Sequence, residues 1–121
     1  MEKQKIVIVV SRGLDDERSS VAWSVANASL ASGFEVTAFL VSSGVDWARK
    51  GAADRAHLNP LDPSLKDMVG GFLEQGGTVL ACPPCAEVRG YTSESLVDGV
   101  TLAGAPAMLE RVAAGASTIS F

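Results

Sequence analysis

The run Lys5-Ile6-Val7-Ile8-Val9-Val10 restricts the fold more than any other stretch of this chain. After its lysine every residue is β-branched, and no polar position is left to face water. β-branched side chains are stiff and suit an extended backbone. A strand without alternation is buried on both faces, which is the condition of a parallel sheet covered by helices. Parallel strands need long crossovers, usually helical, and the remaining sequence supplies them.

A polar loop, Ser11 to Arg18, leads to a helix over Val21 to Ala31 with Ser19 or Ser20 as its cap. Gly33 stands where a left-handed C-cap is needed. Phe34 to Val41 is a second strand. Ser42-Ser43-Gly44 turns the chain, and Val45 to Ala56 reads as a short, irregular helical stretch containing Trp47. Asp62, followed by Pro63, caps a helix through Ser64 to about Gln75. Gly70-Gly71 inside it implies a kink or the close passage of another backbone. Thr78 to Ala81 is a third strand. Ala86 to Val88 begins a helical turn broken at Gly90, and Ser93 caps a short helix through Val97. Val100 to Leu102 is a fourth strand, Pro106 opens a last helix over Ala107 to Ala114, and Ser117 to Phe121 closes as a strand. Strands alternate with helices and no tight hairpin signal occurs. The expectation is a three-layer α/β/α fold with a mainly parallel five-stranded sheet, in one domain over residues 1–121.

Of 121 residues, 47% are hydrophobic, enough to leave an apolar face for a homo-oligomer. The net charge is -4 and the basic residues are scattered along the sequence, so nucleic acid is not an expected partner. No run has the length of a membrane span. Ile6 to Val10 is too short for a signal-peptide core. A cytoplasmic protein is expected, and in a reducing compartment two cysteines three apart point to redox, carrier or metal chemistry before a structural disulfide.

Those cysteines form Cys82-Pro83-Pro84-Cys85, directly after the third strand. In open parallel sheets, chemistry collects beyond the carboxyl ends of the strands. The reactive form is the thiolate. Backbone N–H groups of the following helical turn favour negative charge on sulfur, and Arg89, four residues after Cys85, is the nearest cation in sequence. Pro83 and Pro84 remove two N–H donors. The motif alone leaves carrier, oxidoreductase and metal site open. Structural zinc wants four ligands, and the chain offers Cys82, Cys85 and His57. A thioredoxin-type protein has its CxxC after an early strand, whereas here it follows the third.

Cys82, Cys85, Arg89 and Gly90 after a strand form C-x-x-C-x-x-x-R-G, which resembles the DsrE/DsrF-like sulfur-relay family (YchN/TusD-type). Asp16-Glu17-Arg18 with its alanine-rich helix, Gly33-Phe34-Glu35-Val36, Gly44-Val45, Asp98-Gly99-Val100 and Ile119-Ser120-Phe121 extend the similarity over nearly the whole chain. The resemblance implies a trimer or hexamer and a sulfurtransferase or sulfur carrier without a cofactor or bound metal. It also implies sulfur-donor and sulfur-acceptor protein partners, and a persulfide at Cys82. Cys85 matches a second cysteine of the YchN-like branch, which could release sulfide from that persulfide and close a disulfide. Two further readings stay open: a small-ligand or partner-binding protein with inert cysteines, and thiol–disulfide exchange.

Other residues share this edge. Asp15 to Arg18 could form a pocket with the cysteine loop, or merely cap a helix. His57, the only histidine, could serve as a base or be structural. Trp47 could line a pocket or the core, and Tyr91 could close over the site.

Overall fold

A computed structural model describes residues 3–121. Five strands, β1 (Lys5–Val10), β2 (Glu35–Leu40), β3 (Thr78–Ala81), β4 (Val100–Leu102) and β5 (Ser117–Ser120), form one sheet in the order β4-β3-β2-β1-β5. Every pairing is parallel. The α-helices are α1 (Arg18–Ala31), α2 (Leu65–Glu74), α3 (Pro83–Glu87) and α4 (Ala105–Ala113). Short 3-10 turns span Ser42–Ala48, Ala53–Arg55 and Ser93–Ser95.

The strand order explains the layers. From β1 to β4 the chain steps across the sheet in one direction, so right-handed crossovers put α1 and α2 on the same face. They pack together there, with the Trp23 ring edge-on to Phe72 at 5.7 Å. Beneath them lie Ile6, Ile8, Val10, Val36, Ala38, Leu40, Val79 and Ala81. The step from β4 back to β5 reverses direction and places α4 on the opposite face, where Ala107 and Met108 cover Val7, Phe39 and Leu80. Thr37, a buried polar residue on that face, accepts a hydrogen bond from Arg111 Nε at 2.9 Å. The three-layer expectation therefore holds, with the second helical layer much thinner than the first.

Several boundaries differ from the sequence reading, each for a local reason. Helix α1 starts three residues earlier than expected, at Arg18, because the Asp16 carboxylate already accepts the Arg18 N–H at 2.9 Å. Ser19 and Ser20 are buried inside the first turn instead of capping it, and Ser19 Oγ donates to the carbonyls of Arg12 and Gly13. Ser64, not Asp62, caps α2, its Oγ accepting the Asp67 N–H at 3.2 Å. No backbone passes close to Gly70, whose added Cβ would meet nothing within 4 Å. Helix α4 starts at Ala105, two residues before the expected Ala107, and Thr92 and Ser95 cap the short turn attributed to Ser93.

Candidate functional site

The first and third strands end against one loop. Cys82 follows β3 and still behaves as strand, its N–H bonded to the Leu40 carbonyl at 3.0 Å. It is also the N-cap of α3, with prolines at the first two helical positions. Proline is pre-organised for a helix start and lacks the N–H that would be orphaned there. The short helix ends in two backbone bonds: Tyr91 N–H reaches the Ala86 carbonyl, and Gly90 N–H the Glu87 carbonyl. This is a Schellman motif, and Gly90 takes its left-handed position with φ 76°. The Arg-Gly pair is thus the stop that turns Tyr91 back toward the site.

The two sulfurs lie 2.7 Å apart, both half-buried, inside van der Waals contact and a small movement away from the roughly 2.05 Å of a disulfide. The third member is Ser42, whose backbone N–H donates to Cys85 Sγ at 3.2 Å. Ser42 has φ 52°, the only non-glycine residue with positive φ among the described residues. That conformation costs roughly 1–2 kcal/mol and aims the amide at the sulfur. The loop carrying it is fixed from below. Gly44 lies so close to the end of β1 that a Cβ would overlap the Val10 carbonyl oxygen. Trp47 is fully buried and donates Nε1–H to the Arg12 carbonyl at 2.9 Å.

A polar chain borders the pair. Tyr91 O–H donates to Asp46 Oδ1 at 2.6 Å, and Arg89 Nε stands 3.7 Å from the same oxygen. Arg89 Nη1 donates to the Cys85 carbonyl at 3.0 Å. Arg89 therefore lies beside Cys85, as its four-residue spacing suggests, with these donors on a carbonyl and on Asp46. Burial pushes the Cys82 thiol above its ordinary value; the Cys85 thiol adds to this, and the Cys85 N–H partly offsets it. This shift is opposite to the one expected from the sequence. Burial outweighs the Cys85 amide, and the two prolines have no N–H to add to it. The Tyr91 hydroxyl is likewise pushed up, by burial and then by Asp46, with Arg49 acting against both.

Other sequence candidates are placed elsewhere. The Asp16 carboxylate is occupied by Arg18 at 2.9 Å and approached by Arg12 at 3.9 Å, which accounts for the acidic loop as a helix start. His57 is exposed, with Nε2 3.0 Å from the Asp62 carbonyl oxygen. Among the described residues no three His, Cys, Asp or Glu side chains converge as a metal site. Ser42 and Asp46 were missed. Their signal was topological: they follow β2, the strand beside β3, at the same carboxyl edge.

The sequence model of the DsrE/DsrF-like family matches residues 4–121. This chain belongs to the DsrE/DsrF-like family. Its relatives include the uncharacterized protein MK0008 of Methanopyrus kandleri, 35% identical over 100 residues, covering 81% of this chain and 78% of that one. The uncharacterized protein MJ0989 of Methanocaldococcus jannaschii is 33% identical over 98 residues, covering 80% and 81%. The match to MJ0760 of the same organism takes in only 34% of that longer protein. Among solved structures, the YchN protein of E. coli is similar with a TM-score of 0.80 at 17% identity, over 99% of this chain and all of that one. MTH1491 of Methanobacterium thermoautotrophicum gives 0.78 at 19% identity, over 98% and 100%. At these identities the two structures speak for the fold alone. No helix among the described residues is long and apolar enough to cross a membrane.

Proposed function

We propose that this DsrE/DsrF-like protein accepts and passes on sulfane sulfur at the Cys82–Cys85 pair. The supporting observation is the contact of the two sulfurs at 2.7 Å with the Ser42 amide on one of them. Thiols this close titrate as a pair, so the first proton lost leaves one thiolate beside one thiol. Once Cys82 loses its proton, its thiolate attacks the outer sulfur of a donor persulfide, a step that quickens as pH rises toward the raised Cys82 value. A Cys82–sulfur bond forms, the donor's sulfur–sulfur bond breaks, and the donor thiol leaves with the electron pair. The outer sulfur then passes to an acceptor thiolate by the same step. Alternatively, Cys85 attacks Cys82 Sγ, expels hydrosulfide and leaves a disulfide that a dithiol reductant must reopen. Arg89 and Asp46 hold the loop and α3 in register for this exchange. The pair requires a reducing compartment, which fits the cytoplasm.

Mass spectrometry after treatment with a persulfide donor tests this reading. Cys85→Ser should accumulate one added sulfur on Cys82, while the wild type releases sulfide. If neither cysteine gains sulfur while both alkylate readily, the reading fails. Simple thiol–disulfide exchange is favoured by the same proximity, and it predicts a reversible Cys82–Cys85 bond with no added sulfur.

A second copy of the chain is the proposed cover for the thin layer. No residue of α4 or β5 is buried, and Leu109, at 55% exposure, and Ile119, at 40%, stand open. Sedimentation should show a trimer or hexamer that Leu109→Lys weakens. A wild-type monomer at high concentration refutes it.

A further inference from the structure

The sequence shows scattered basic residues, but the fold brings four of them to two adjoining cavities that follow the Ser42–Ala48 turn. A cavity of about 520 Å3 is lined by Arg49, Lys50 and Arg55, with Asp54 as its one carboxylate. A smaller cavity of about 150 Å3 shares Arg49 and Asp54 and adds Lys66 from α2. Among the described residues, none of these four cations has a carboxylate within the 4.0 Å of an ion pair. The chain as a whole carries -4. Unpaired cations gathered in a concave surface of an acidic protein concentrate positive potential.

The segment that presents them is fixed in place. Lys50 N–H bonds the Ser95 carbonyl at 2.9 Å, Val97 N–H bonds the Ala48 carbonyl at 2.8 Å, and Arg49 bridges Leu96. Four contacts in series connect it to the Cys85 backbone. The Arg49 guanidinium stands by the Tyr91 hydroxyl, Tyr91 bonds Asp46, and Asp46 faces Arg89, which holds the Cys85 carbonyl.

Resting on the sulfur-handling reading above, we infer that the donor or acceptor is a low-molecular-weight thiol with an anionic tail. The tail occupies the Arg49–Lys50–Arg55 cavity while its sulfur reaches the cysteines. A tail of three extended residues, the scale of a peptide thiol, spans about 10 Å. In the donor direction, the thiolate of the pair takes the outer sulfur of the small persulfide. The donor's sulfur–sulfur bond breaks, its thiolate departs with the electrons, and no outside oxidant is consumed.

The test compares glutathione persulfide, which has an anionic tail, with the persulfide of 2-mercaptoethanol, whose tail is neutral. Sulfur addition is followed by mass spectrometry at low salt in the wild type and in Lys50→Gln/Arg55→Gln. The double variant should lose about tenfold in rate toward the anionic donor and keep its rate toward the neutral one. Calorimetry with S-methylglutathione, which can neither give nor take sulfur, gives a second readout. Its affinity should fall by about the same factor in the double variant. Equal loss toward both donors, or binding indifferent to Lys50 and Arg55, overturns the inference and leaves the sulfur reading intact. Tail binding without sulfur addition from either persulfide overturns the sulfur reading and, with it, the substrate assignment.

Discussion

Replacing Gly44 with alanine tests how tightly the site depends on the loop that carries Ser42. The new Cβ would overlap the Val10 carbonyl oxygen, and would lie 2.8 Å from the carbonyl carbon and 3.4 Å from Ser11 Cα. Carbon atoms pack comfortably at about 3.5 Å or more, and the obstacle is backbone, so no side chain can rotate away. That carbonyl also accepts the Val41 N–H at 3.0 Å, the last rung between β1 and the loop. Relief therefore means pushing the loop outward and breaking that rung. Overpacking of this kind costs about 1–3 kcal/mol, and a buried group left without its partner costs a further 1–3 kcal/mol, roughly. Taking about 3 kcal/mol in total and about 4 °C per kcal/mol for a domain of this size, the melting temperature should fall by about 10–15 °C. The same displacement carries the Ser42 amide off Cys85, so the alkylation kinetics of the two cysteines should change even well below the melt. Calorimetry and timed iodoacetamide labelling read the two effects. A melting point within about 2 °C of wild type, with labelling unchanged, would refute the claim that this loop is fixed by backbone contact.

Gly77→Ala would push a Cβ to 2.6 Å from Phe72 Cδ2 and still closer to its neighbouring ring atoms. Because Phe72 is fully buried against Trp23, a loss of about 1–3 kcal/mol is expected in denaturant titration. Gly70→Ala, in contrast, meets nothing within 4 Å inside α2 and should stabilise by about 0.5–1 kcal/mol in the same assay. Tyr91→Phe removes a 2.6 Å bond to Asp46 and should cost about 1–2 kcal/mol; an unchanged melt would show that bond contributing nothing. Burial and Cys85 raise the Cys82 thiol, so the folded state holds that proton more tightly than the unfolded chain does. This contribution to stability is complete below the ordinary cysteine value of about 8.5 and is lost as pH rises through the higher folded value. Alkylation of Cys82 should accordingly have its midpoint above that of a free cysteine, and Cys85→Ser should lower it.

The sheet's centre was legible because β1, β2 and β3 carry their burial in their composition. The β1 run names a doubly covered strand by itself, whereas β4 and β5 hold no buried residue and were read from their place after helices and turns. Helix starts were less legible, because capping depends on one side-chain oxygen and several neighbouring residues can supply it. At Ser19 and Ser20, both able to cap, burial decided: they face inward, Glu17 takes the N-cap position without a side-chain bond, and Asp16 before it accepts the Arg18 N–H. The thin α4 layer was not legible either, since Leu109 and Ile119 look like core residues until the fold shows nothing above them.

The site divides along the same line. Local spacing gave the Cys82–Cys85 pair and the position of Arg89 beside it, because an N-cap and the short helix after it are nearest-neighbour geometry. It could not give Ser42, which lies 43 residues from Cys85 and acts through a backbone amide that any residue but proline possesses. Nor could it give Asp46, whose meeting with Tyr91 and Arg89 depends on β2 and β3 being adjacent. The reactive pair is thus local, while the amide and the carboxylate that border it come from the neighbouring strand's loop. Substitutions in Ser42–Ala48 should therefore alter thiol reactivity more than equally conservative changes in Glu87 or Val88, which belong to α3 and its end but are exposed and make no side-chain bond to the pair.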